Sequence, residues 1–129
     1  MNERINILIT SAGRRVSLVR AFMTELNSRI PGAKVYTTDV NPEWSAACRI
    51  SDGYFVSPPI TDSDYIAKLL YLCLQENIGL VVPTIDTELL ILSENINLFN
   101  TSRIALAVSD LSLVERCRDK RKTNALFSE

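Results

Sequence analysis

Short apolar runs rich in β-branched residues alternate along this chain with segments whose apolar residues recur at helical spacing. No other feature constrains the fold as much. Buried strands separated by amphipathic helices need crossover connections, and those give a parallel sheet covered on both faces. The first run, Ile5–Ile9, ends at Thr10-Ser11-Ala12-Gly13. Val19, Phe22, Met23, Leu26 and Ile30 then follow one helical face, which Pro31-Gly32 stops. Lys34–Thr38 is a second strand ending in the turn Asp39-Val40-Asn41-Pro42, and Glu43–Ala47 fits a single helical turn. Gly53–Ser57 is a third strand before Pro58-Pro59.

Thr61 or Asp62 caps a helix from Ser63 to about Glu76, with Ile66, Leu69, Leu70 and Cys73 inward. Asn77-Ile78-Gly79 closes it. Leu80–Val82 is a fourth strand, and Asp86 opens a helix with Leu89, Leu92 and Ile96 in its core. Arg103–Val108 is a fifth strand, and Ser112-Leu113-Val114-Glu115 matches a capping box that starts a last helix. The expected fold is therefore α/β, a three-layer Rossmann-like parallel sheet of about five strands with helices on both faces.

Composition removes several functions. The chain has 129 residues, 47% hydrophobic and 22% charged, which suits one globular domain. It has no histidine, so Ser-His-Asp, Cys-His, His-ligated zinc and HExxH chemistry are excluded. A net charge of -1 argues against bulk binding of nucleic acid or an anionic membrane. Cys48, Cys73 and Cys117 form no CxxC pair and read as small hydrophobes in a reducing compartment. No apolar run reaches a membrane-spanning length, and a cytoplasmic protein is expected.

In an open parallel sheet, ligands bind beyond the carboxyl ends of the strands, where the strand order reverses. Three strand ends carry polar clusters that should meet at one rim. Gly13, Arg14 and Arg15 follow the first strand, where a tight turn, a helix N-terminus and two cations suit an anion. The full GxGxxG fingerprint is absent, and a turn glycine with solvated arginines explains the same residues. Asp39 closes the second strand, either facing a ligand hydroxyl or forming the turn. Thr84, Asp86 and Glu88 follow the fourth strand. Capping by Thr84 or Asp86 accounts for part of that cluster, and two carboxylates alone hold no magnesium. The tyrosines Tyr36, Tyr54, Tyr65 and Tyr71 read as packing residues, while Trp44 could line a pocket.

The segments ILITSAGRR at 7–15, TTDVNP at 37–42, DGYFVSPP at 52–59, VVPTIDTEL at 81–89 and CRDKRKTNALF at 117–127 occur in that order. Together they resemble the N-terminal, pre-ATP-grasp domain of the ATP-grasp ligases. The relatives they resemble most are carbamoyl-phosphate-synthase large-subunit-like proteins and the ligase of pyrrolysine biosynthesis. The resemblance implies a domain over residues 1–116, with 117–129 beginning a helix into an ATP-grasp region that lies beyond this chain. Asp119-Lys120 matches that entry.

It further implies an enzyme that joins a carboxylate to an amine through an acyl-phosphate. ATP and Mg2+ would be held by downstream domains of the same polypeptide. Gly13, Arg14, Arg15, Asp39, Thr84, Asp86 and Glu88 would bind on the substrate side, without a catalytic or metal-ligating residue here. The chain alone is expected to be an inactive fragment of such a ligase. The alternative is a stand-alone Rossmann-like module for a nucleotide or small anion. Leu69, Leu70, Leu72 and Leu74 fit a core helix packed against the sheet, with a homodimer surface as the alternative.

Overall fold

A computed structural model describes residues 4–108. The expected capping box at 112–115, Cys117, Asp119-Lys120 and the boundary at 116 lie outside the described residues. Five parallel strands form one sheet: β1 (Asn6–Thr10), β2 (Val35–Asp39), β3 (Gly53–Val56), β4 (Ile78–Pro83) and β5 (Ala105–Leu106). Five helices connect them: α1 (Val16–Arg29), α2 (Ala46–Ile50), α3 (Tyr65–Gln75), α4 (Asp86–Glu94) and α5 (Ile96–Thr101). A 3-10 turn at Pro42–Trp44 precedes α2. The strand order is β3-β2-β1-β4-β5, so the connections reverse direction between β1 and β4. This is the expected α/β, Rossmann-like arrangement.

Alternation along the strands divides the core in two. Ile9 and Val35 point to one side, where Val19 and Leu26 of α1 and Ala47 and Cys48 of α2 cover them. Leu8 and Val81 point to the other side, against Tyr65, Leu69 and Cys73 of α3, Leu92 of α4 and Phe99 of α5. Leu92 and Phe99 are fully buried. Truncating a side chain of that kind to alanine costs about 2–5 kcal/mol.

Several local readings change. Ile30 sits past the end of α1, with φ −134, and is 39% exposed. Ile78 and Gly79 belong to β4 rather than to a closing turn, and Asn77, at φ 56, makes the turn alone. Gly79 is needed because a Cβ there would collide with the Arg4 carbonyl. The expected helix running through Ile96 is two helices. Asn95 lies between them, its side-chain amide bonded to the Ile91 carbonyl at 2.7 Å. The inward face of α4 is set by Glu88 and Leu92, while Leu89 is half-buried. The fifth strand shortens to Ala105–Leu106. Tyr54 and Tyr71 are exposed, not packed.

Candidate functional site at the carboxyl rim

The loops after β1, β2 and β4 meet, because those three strands are neighbours in the sheet. The β1–α1 loop is bent by two left-handed residues, Ser11 and Gly13, each at φ 51. A Cβ on Gly13 would meet only the Ser11 carbonyl oxygen, at 3.8 Å. Glycine is therefore required at 13 for its backbone angle, not for space. The left-handed serine carries a cost of about 1–2 kcal/mol, which the hydrogen bonds around it offset.

Those bonds come from the other two loops. The Asp39 carboxylate accepts the Gly13 N–H at 3.0 Å through Oδ2 and the Asn41 N–H at 3.1 Å through Oδ1. The Thr84 hydroxyl donates to the carbonyl oxygens of Ser11 at 2.7 Å and Thr10 at 2.9 Å. Arg15 Nη2 donates to the Thr84 carbonyl oxygen at 3.1 Å. From the α2 side, the Ser45 hydroxyl and the Ala47 N–H both donate to the Gly13 carbonyl, at 2.6 and 3.1 Å. Ser45 also caps α2 by accepting the Cys48 N–H.

The rim is thus held by Asp39, Thr84 and Ser45 and leaves other groups open. Arg14 and Arg15 are exposed, and α1 begins at Val16 with no side-chain cap. Both arginines precede α1 at the anion-favouring end of its helix dipole. Asp86 is exposed at the first residue of α4, whose N-cap is Ile85. Thr84, expected as a cap, ties two loops together instead.

Glu88 is placed differently from the rest. It is 1% exposed and points into the α3 side of the core. Its Oε2 accepts the Tyr65 hydroxyl at 2.6 Å, while Oε1 is buried without a partner. Burial, with the Glu88 charge and hydrogen bond adding to it, pushes the Tyr65 phenol far above its ordinary range. Sequence reading missed Tyr65 as a polar partner. The signal was present: Tyr65, Leu69 and Cys73 share a helical face, as do Glu88 and Leu92. Trp44, which could have lined a pocket, is instead 90% exposed.

Comparison with known proteins decides the family. Residues 7–107 match the family described as PylC-like, N-terminal domain. The chain belongs to the PylC-like N-terminal domain family. That places it with the N-terminal, pre-ATP-grasp domains of ATP-grasp ligases. Among curated proteins none matches. A Rhizobium etli pyruvate carboxylase variant, solved with the allosteric activator acetyl coenzyme A, shares the PylC-like fold at a TM-score of 0.56. The likeness covers 86% of this chain and 10% of that one, at 10% identity. The chain spans a tenth of that protein's length, and at this identity the likeness concerns fold alone.

Proposed function

We propose that this PylC-like domain forms the acceptor-substrate side of an ATP-dependent carboxylate–amine ligase. The observation that carries the reading is the interlocked rim at the reversal point of the sheet, in a chain of this family. Gly13, Arg14, Arg15 and Asp86 are the residues that would meet substrate. Gly13 sets the loop, the two arginines would hold an anionic carboxylate, and Asp86 would accept from an amine. Asp39 and Thr84 would act through the loop they hold, and Glu88 through Tyr65 on α3.

ATP and Mg2+ belong to downstream domains of the same polypeptide in this reading. Among the described residues no group of three or more Cys, Asp or Glu side chains gathers where a metal ion could sit. The Gly13 loop also has one glycine where a dinucleotide loop has several. No step is therefore assigned to nucleotide or metal on this domain. Its chemistry would be orientation: an acceptor fixed at the rim spends its lost freedom on binding, before the reacting group arrives.

The second reading, a stand-alone module for a nucleotide or small anion, draws on the uncapped start of α1 and the two exposed arginines beside it. Calorimetric titration of the chain with ATP and magnesium separates the two. The ligase reading expects no saturable binding. Tight binding, lost in the Arg14→Ala, Arg15→Ala double variant, would establish the module instead.

A further inference from the structure

A cavity lies away from the Gly13 loop, on the opposite face of the sheet. It sits between α3 and the carboxyl ends of β2 and β3 and has a volume of about 290 Å³. Phe55, Val56, Pro58, Leu69 and Leu72 give it an apolar wall. Register places Phe55 opposite Thr38 on the neighbouring strand, so both present to α3. Thr38 is 2% exposed, and its hydroxyl has no hydrogen-bond partner. A buried hydroxyl left unpaired costs about 1–3 kcal/mol, and a ligand able to pair it recovers that loss.

Charge selects the kind of ligand. Lys68 is the one charged residue in the lining. Its ammonium lies 3.2 Å from Asp62 Oδ2 in an exposed pair. Such pairs contribute little, so the ammonium is free to exchange partners. The buried carboxylate Glu88 does not line the cavity, and Tyr65, which does, already donates its hydroxyl to it. The lining therefore offers an apolar slot, a cation and a latent hydroxyl, the composition expected of a small-molecule pocket.

We propose that this cavity binds a small monoanion with an apolar body, an alkyl or aryl monocarboxylate, with its carboxylate on Lys68. The Thr38 hydroxyl is sealed from solvent. Thr38 lines the cavity, and pairing its hydroxyl with a ligand acceptor would require a change of χ1 rotamer. The site does not depend on the reading of the rim; Tyr65, which lines it and pairs with Glu88, is the residue the two have in common.

The test is an NMR titration of the full chain with 3-phenylpropionate and, separately, with 3-phenylpropylamine. The carboxylate is expected to saturate and to shift the amides of Thr38, Phe55 and Leu72. The amine is expected to bind at least about tenfold more weakly. Lys68→Gln, a surface change that leaves the core intact, should weaken the carboxylate about tenfold, as loss of a charged hydrogen bond implies. Asp62→Asn should tighten it, because the competing carboxylate is gone. The Arg14→Ala, Arg15→Ala double variant should bind it unchanged. Absent saturation, an amine that binds as well, indifference to Lys68→Gln, or loss on removing the two arginines would each overturn the proposal.

Discussion

Arg15 and Thr84 lie on either side of the point where the strand order reverses, and the Arg15 guanidinium donates to the Thr84 carbonyl oxygen at 3.1 Å. The same Thr84 donates its hydroxyl back to the carbonyls of Thr10 and Ser11. The loops after β1 and β4 are thereby one unit. Removing the hydroxyl while keeping the shape, in Thr84→Val, leaves two carbonyls short of a donor. A loss of about 1 kcal/mol is expected in a urea unfolding curve with unchanged slope. An unchanged midpoint would mean the two loops stand without this tie.

Asp39 is the acceptor for two backbone N–H groups of the rim. Asp39→Ala should destabilise by about 1.5–3 kcal/mol, the range for hydrogen bonds to a charged group. Asp39→Asn keeps one acceptor oxygen and should lose less. Equal loss in both variants would mean that the charge, not the acceptor geometry, holds the Gly13 loop.

The Tyr65–Glu88 pair joins α3 to α4 inside the core. Tyr65→Phe strips the remaining partner from a carboxylate that is 1% exposed. The expected cost is about 1–3 kcal/mol, because a buried acceptor is left unsatisfied. Glu88→Leu beside Tyr65→Phe should recover much of it, since removing both partners leaves an apolar contact. A double-mutant cycle by chemical denaturation measures the coupling; additive losses would mean the pair is not coupled.

These residues also mark how far the sequence could be read. The alternation of β-branched runs and helical faces located all five strands, because a parallel sheet buried on both faces leaves a continuous apolar signature. Val19, Leu26, Leu69 and Leu92 fell inward as their spacing required. The helical faces place Tyr65 and Glu88 inward one by one, but their contact spans 23 positions, and spacing within each helix does not say which partner it meets. Thr84 was read as a cap because its neighbours open a helix. Its hydroxyl instead reaches the Thr10 and Ser11 carbonyls, 74 and 73 positions away. The break at Asn95 escaped for a related reason: its amide folds back on the preceding turn, and the apolar period runs on across it.

Stability should fall in alkali through Cys73. Burial pushes its thiol up to about 12, with Arg4 pulling weakly the other way. The folded state therefore keeps its proton where the unfolded chain loses one, near pH 8.5. The contribution is complete below that pH and is lost as pH rises towards 12, at up to about 1.4 kcal/mol per pH unit. Urea midpoints measured at pH 8, 9.5 and 11 should decline, and Cys73→Ala should flatten the decline. A variant that falls as steeply would assign the loss to other groups, Tyr65 first.

The central claim is that the rim serves the acceptor and not the nucleotide. Steady-state kinetics of a polypeptide carrying this domain with its downstream ATP-grasp domains tests it most directly, comparing native protein with the Arg14→Ala, Arg15→Ala double variant. The account predicts that KM for the carboxylate or amine acceptor rises at least about tenfold, a loss of about 1.4 kcal/mol, while KM for ATP is unchanged. A rise in KM for ATP with the acceptor's KM unmoved would contradict it.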